Sequence, residues 1–233
     1  MGVYSGPEIV NNGLILQLDA SNSKSYSGSG TIWGDLSGNA RNSTLLNSLT
    51  YTSNEFTFDG IDDYVNTGFD LSWNNTNSVT IMTAVKPASL SIYYPFMGKG
   101  PNNWEWQILQ NNTALSFVYW NTSGGHTNGP VVTISNFFLN ITDYVHIAIV
   151  WNHIDNKYYF YRNSVLVNTT NWVDASINQN RTDPVHVGGN LYLWSASSRY
   201  WNGKINFVSV YNRALTNTEI KQNFEAMRGR YGI

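Results

Sequence analysis

VTIMTAVKP, residues 79–87, sets β-branched and apolar side chains in unbroken succession from Val79 to Val85. Successive strand residues face opposite ways, so Val79, Ile81, Thr83 and Val85 share one side of an extended chain. Pro87, which has no N–H for a ladder, ends the run. The stretch reads as a strand. Outward from it, HIAIVWN (146–152) places Ile147, Ile149 and Trp151 on one side. KYYFYRNSVLVNT (157–169) is two β-rich runs about Asn163-Ser164, a short hairpin turn. Further strands are predicted over 14–18, 56–58, 64–67, 106–110, 115–120, 185–188 and 204–211. Many short strands with polar turns between them predict an all-β fold, an antiparallel two-sheet jelly-roll sandwich.

A single helix is predicted. In Thr216-Asn217-Thr218-Glu219 the Thr hydroxyl can accept from the Glu amide while the Glu carboxylate reaches back, a capping box. Ile220, Phe224 and Met227 then follow at helical spacing, which predicts a helix over 217–228 beside the last strand. Residues 1–12 read as an N-terminal arm, 13–228 as one domain and 229–233 as a tail. A chain of 233 residues suits one sandwich core.

Composition narrows the partners. Charged residues are only 12% and aromatics 15%, so a surface rich in Asn, Ser and Thr must carry solubility, and such a surface suits neutral partners such as glycans. The net charge of −2 comes with no Lys or Arg run able to neutralise a phosphate backbone or an anionic membrane, so nucleic acid is not expected as a ligand. The absence of cysteine removes disulfides, thiolate metal sites and cysteine nucleophiles. No basic-then-apolar leader stands at the start and nowhere do about 18 apolar residues run together, so neither a signal peptide nor membrane insertion is expected.

In order along the chain stand GLILQLDA (13–20), WGDLSGNARNSTL (33–45), FTFDGIDDYV (56–65), VTIMTAVKP (79–87), YRNSVLVNT (161–169), VHVGG (185–189) and GKINFVSVYNRALTNTEI (203–220). Together they resemble the laminin-G-like, or concanavalin A-like, jelly-roll domains of the lectin and glucanase superfamily. The resemblance covers almost the whole chain. Its particular wording is similar to domains of tailed-bacteriophage structural proteins and of bacterial surface proteins, which implies a virion-surface location or, alternatively, a bacterial cell surface.

Catalysis is not expected. Glucanases of the resembled superfamily carry two glutamates near an aspartate on one strand, whereas Glu8, Glu55, Glu105, Glu219 and Glu225 form no Glu-x-Asp-x-Glu pattern here. Asp62 and Asp63 are adjacent and would face opposite ways on a strand, and Asp59-Gly60 reads as a tight turn. His126, His146, His153 and His186 are scattered, with no pair at metal-ligand spacing and no Gly-x-Ser-x-Gly elbow.

DLSGN (35–39) has the oxygen-rich, tightly turned character that calcium requires. The resemblance implies that such a loop works with an acidic residue at the start of the last strand, where this chain has Asn206-Phe207 in place of the Asp-Glu of many relatives. A weak calcium site would then comprise Asp35 as anchor, with Asn39, Asn206 and Asp19. The competing expectation is that Asp35, Ser37 and Asn39 bond their own backbone in a turn.

Trp104, Trp106 and Trp120 are the candidate sugar platforms, since sugars stack their C–H faces on indoles while Asn and Asp read the hydroxyls. Core packing is the competing use of each, and Trp33 and Trp151 are predicted to be core. Two functions follow. One is a non-catalytic structural or decoration protein that docks to neighbouring structural proteins or to copies of itself. The other is a calcium-assisted, carbohydrate-binding lectin or adhesin that recognises cell-surface glycans.

Overall fold

Alternating apolar side chains leave water only where a second layer covers them. In the computed structural model, which describes residues 7–71, 76–99, 106–119, 132–171, 183–190 and 199–233, two eight-stranded antiparallel sheets cover each other. The first strands are β1 (Leu14–Asp19), β2 (Ile32–Trp33), β3 (Ser43–Leu46), β4 (Thr50–Thr52), β5 (Glu55–Asp59) and β6 (Tyr64–Asn66). Then come β7 (Val79–Pro87), β8 (Tyr93–Lys99), β9 (Trp106–Asn111), β10 (Ala114–Tyr119), β11 (Val132–Ile134) and β12 (Val145–Asn152). β13 (Lys157–Arg162), β14 (Val165–Asn171), β15 (Val185–Val187), β16 (Gly189–Asn190), β17 (Arg199–Tyr200) and β18 (Asn202–Tyr211) complete the strands, and α1 (Asn217–Tyr231) follows.

One sheet runs β14-β13-β12-β7-β18-β5-β4, with β1 alongside the second half of β18; the other runs β11-β10-β9-β8-β15-β6-β3-β2. Leu18, Phe58, Ile81, Ile108, Ile149 and Val187 belong to the core between them. Trp33 and Trp151 are fully buried there, as the sequence predicts. The hairpin at Asn163-Ser164 also forms, with both residues at positive φ (48° and 64°), as a tight turn between twisted strands requires.

The strand over 93–99 escaped the sequence reading because Pro95 interrupts it. The structure places that proline at a register shift in the ladder with β9, where its missing N–H is tolerated.

The first sheet is apolar on both faces. Its outer side carries Met82, Ala84, Ala148, Val150, Phe207 and Tyr211, which pack under Ile220, Met227 and Tyr231 of α1. The predicted capping box is present, with Thr216 accepting from the Glu219 amide and Glu219 reaching back. Arg213 pairs with Glu219 at 2.6 Å, and this bond, with those from Thr216, pulls the Glu219 carboxyl down to about 2.

Two boundaries are corrected. The helix continues past 228 to Tyr231 and ends on left-handed Gly232, so most of the expected tail is a helical turn docked on Asp19. Within the expected arm, Val10 is held on both sides: its N–H donates to Asn223 and its carbonyl accepts from the Tyr211 hydroxyl. Among the described residues no helix is long and apolar enough to cross a membrane.

Candidate functional site

The loop DLSGN closes on itself and on β1. Asp35 Oδ1 accepts from the N–H groups of Gln17 and Ser37, both at 2.9 Å, and Oδ2 accepts from the Ser37 hydroxyl and the Arg41 N–H. The Leu36 N–H donates to the Gln17 carbonyl, and the Asn39 amide reaches the Leu14 carbonyl. The loop therefore occupies the free edge of β1 as a neighbouring strand would, with a carboxylate in place of one backbone carbonyl. Partial burial acts to raise the Asp35 pKa, but the hydrogen bonds from Gln17, Ser37 and Arg41 outweigh it and hold the carboxyl below its ordinary value.

The four residues proposed as calcium ligands fall into three separate networks. Asp35 and Asn39 belong to the β1 edge. Asp19 lies beyond it, 2% exposed, accepting from the Ser21 N–H and hydroxyl and from the Tyr231 hydroxyl, with its charge met by Arg230. Asn206 is the extra residue of a β-bulge, since Ile205 pairs with Val85 and Phe207 with Ala84. The Tyr144 hydroxyl lies 2.6 Å from Glu55 Oε2 and 2.9 Å from the Asn206 side-chain amide. One proton cannot serve both, so the phenol donates to Glu55 and Asn206 presents its NH₂.

The two readings of the loop separate in a melt. Asp35→Ala is expected to cost about 2–4 kcal/mol, because it strands backbone donors at a strand edge. That loss is expected to be the same in millimolar calcium and in chelator. A wild-type melting temperature raised by calcium, with a variant indifferent to it, would instead place an ion at Asp35.

At the C-terminal end of α1, Glu55, Lys86, Asp143, Tyr144, Asn206 and Arg230 line a small polar cavity of about 230 Å³. Three of its charged groups have partners: Lys204 pairs with Glu55, Arg230 pairs with Asp19, and Lys86 lies 5.0 Å over the Tyr144 ring. Burial pushes the Tyr144 hydroxyl far up, and its bond to Glu55 adds to this. This network braces the sheet. No local pattern announces it, because the residues lining the cavity come from five separate parts of the chain.

At the other end of α1 lies an open depression of about 450 Å³, a size within the range of ligand sites. Val150, Leu215 and Ala214 contribute its apolar surface, and Tyr159 and Tyr161 enter it from β13. Asp155 and Asn152, from the turn between β12 and β13, line it together with Thr216, Asn217 and Thr218 of the helix start. Asp155 Oδ2 accepts from the Tyr159 hydroxyl at 2.8 Å and from the Asn152 amide at 2.7 Å, which fixes both side chains. Tyr161 is tethered to Asn217. The first N–H groups of any helix have no intrahelical acceptor, so Asn217 and Thr218 add donors at the rim. Half-buried Tyr159 thus stands beside a carboxylate, an amide and hydroxyls, in the mixture of apolar and polar surface that a sugar ring presents.

Of the proposed tryptophan platforms, Trp106 does not contribute. Trp106 is fully buried and its indole N–H donates to the Leu71 carbonyl at 3.1 Å, so it is core, because β9 turns it inward between the sheets. Trp104 and Trp120 lie outside the described residues. In FDGIDDY the carboxylates of Asp59, Asp62 and Asp63 converge within 4.8 Å, with Asp63 buried and Asp62 exposed. They serve the turn: Asp59 accepts from the Ile61 N–H and Asp63 from the Asp59 N–H.

A search of curated protein sequences finds no match. Among solved structures, the binding domain of botulinum neurotoxin DC in complex with rat synaptotagmin II is similar, with a TM-score of 0.68 at 15% identity, over 94% of this chain and 52% of that one. A botulinum neurotoxin type C structure, described as depending on two ganglioside molecules for entering cells, has a TM-score of 0.67 at 15% identity over 94% and 52%. Trypanosoma rangeli sialidase in complex with sialic acid has a TM-score of 0.63 at 14% identity over 94% and 33%. The chain thus spans about half of the toxin chains and a third of the sialidase, and at these identities the likeness is one of fold. The laminin-G model described as the concanavalin A-like lectin/glucanases superfamily matches residues 59–221, most of the sandwich, and the chain belongs to that family.

Proposed function

We propose that this protein is a non-catalytic carbohydrate-binding module that holds a neutral sugar in the depression between the start of α1 and the β12–β13 turn. The observation that carries this reading is the meeting of Tyr159 with Asp155, Asn152 and the Thr216–Thr218 segment in one open depression. The ring offers an apolar face, and the fixed carboxylate and amide offer acceptors and donors for hydroxyl pairs. A neutral ligand suits a site whose lining has a single charged group, Asp155. That single carboxylate also argues for binding over hydrolysis, because glycoside cleavage in most families employs two. The fold-related toxin and sialidase structures, with gangliosides and sialic acid in their descriptions, support a glycan as the ligand class. A docking role on a virion or bacterial surface is compatible with this and rests on the resemblance of the sequence phrases alone.

A glycan array followed by calorimetry tests the proposal. Tyr159→Ala is expected to weaken binding of a neutral oligosaccharide about tenfold or more, the loss of roughly 1.4 kcal/mol of stacking. Tyr159→Phe, which keeps the ring, is expected to lose less. Asp155→Ala is expected to reduce binding as Tyr159→Ala does. Lys86→Ala, in the other cavity, is expected to have no effect. Binding untouched by Tyr159→Ala and Asp155→Ala would refute the site.

A further inference from the structure

The two sheets have very unequal edges. β4 and β11 are three residues long and β2 is two, and short strands make poor templates for another chain. The free side of β1 is closed by the DLSGN loop, through Asp35 and Leu36 on Gln17. β14 differs from all of these. It is a seven-residue edge strand, VLVNTTN, and Val165, Leu166 and Val167 are 63%, 41% and 40% exposed. It contains no Lys, Arg, Asp, Glu or Pro, the residues that usually discourage edge pairing, and among the described residues its one blunting device is the register shift opposite Phe160 and Tyr161.

From these observations we infer that β14 is a self-association edge, which pairs antiparallel with β14 of a second copy of this chain. The strand is complementary to itself. Antiparallel pairing about Asn168 sets Asn168 against its own copy, Val167 against Thr169 and Leu166 against Thr170. Amide meets amide and methyl meets methyl, and no like charges oppose. A foreign acidic or basic strand would find no opposite charge on this neutral edge, whereas an identical strand meets it with like pairs at the centre and only Val165 against Asn171 unlike at the ends. The result is a continuous sixteen-stranded sheet about a two-fold axis.

Pairing of this kind would bring two sugar depressions together. Tyr159 of β13 is paired with Thr169 of β14, so each depression lies one strand from the axis and both open on the same outer face. Three strand spacings, roughly 14 Å, then separate the two β13 strands across the sheet. This bivalent consequence rests on the proposed function; the self-association does not.

A two-strand interface is small, so the dimer is expected to be weak, monomeric at about 10 µM and populated near 1 mM. Sedimentation of the full chain across that range reads it directly. In the double variant Val167→Lys/Thr169→Lys, paired lysines would face each other across the axis. It is expected to stay monomeric at every concentration with a near-native melting curve, while Thr52→Lys on the β4 edge is expected to dimerise as wild type does. Amide exchange supplies a second readout that needs no variant: protection of 165–171 is expected to rise with protein concentration. A wild type that is monomeric near 1 mM overturns the inference, as does a dimer that survives the double variant or one whose β14 amides gain no protection. Capture of an unrelated extended peptide by a chain that stays monomeric would equally overturn it. A dimer that binds no sugar would leave the edge pairing standing and remove the sugar site alone.

Discussion

His146→Leu is expected to lessen the loss of stability between pH 7 and pH 4 by about 3 kcal/mol relative to wild type. His146 is 1% exposed on the outer face of the first sheet, between Phe207 and Phe224, with ring centroids 5.8 and 5.3 Å away. Neither ring nitrogen has a hydrogen-bond partner, and burial pushes its pKa down to about 3. The folded state therefore refuses a proton that the unfolded chain accepts from about pH 6.5 downward, so stability falls as the pH drops through that window.

His186, pushed down to about 4 by burial against the opposing charge of Asp183, acts in the same sense. Asp63 acts in the opposite sense: burial raises it to about 6, so its protonation favours the folded state as the pH falls from there. The sum over the chain mixes these signs, and the difference between wild type and His146→Leu isolates one of them. Urea unfolding at pH 7, 5.5 and 4 measures it. Parallel pH dependences for the two proteins would mean that His146 is not held neutral under the helix.

Gly188→Ala is expected to destabilise the fold by about 4 kcal/mol or more, and to leave little soluble protein. Gly188 has a φ of +85°, and a β-carbon there would lie 2.0 Å from Cε1 of Phe58, a fully buried ring in the core. Neither partner can yield easily. The Gly188 N–H donates to Phe96 and its carbonyl accepts from Trp201, which fixes the backbone on both sides. Gly38→Ala is the control, since it shares a φ of +85° but has nothing within 4 Å of the new carbon. It is expected to cost only the left-handed conformation, about 1–2 kcal/mol. Equal midpoints for the two variants in denaturant would show that the approach of Phe58 is not the cause.

The sandwich was legible wherever a strand buries one face against the core, because period-two alternation then survives in the sequence, as at Val79 to Val85. It was less legible where a strand is covered on both sides. On β18 the bulge at Asn206 turns Phe207 to the helix side, a change of parity that no local pattern announces. The capping box announced the start of α1, whereas its end depends on Arg230 and Tyr231 reaching Asp19, more than two hundred residues away. For DLSGN, composition alone could not choose between a cation and a strand edge. What the fold adds is that Asp35 faces the Gln17 N–H, a contact across eighteen residues that supports the strand-edge reading and that the melt in calcium and chelator tests. The depression proposed to hold sugar escaped for the same reason: Tyr159, Asp155 and Thr218 belong to segments that meet only when α1 docks.

The most direct test of the proposed function is amide chemical-shift mapping of the isotope-labelled protein titrated with the neutral oligosaccharide that binds best. The account predicts saturable shifts confined to residues 150–161 and 214–219, the turn, strand and helix start around the depression, with Lys86 and the Asp35 loop unmoved. Shifts clustered instead on the second sheet, at the 230 Å³ cavity near Tyr144, or nowhere on the protein would contradict it.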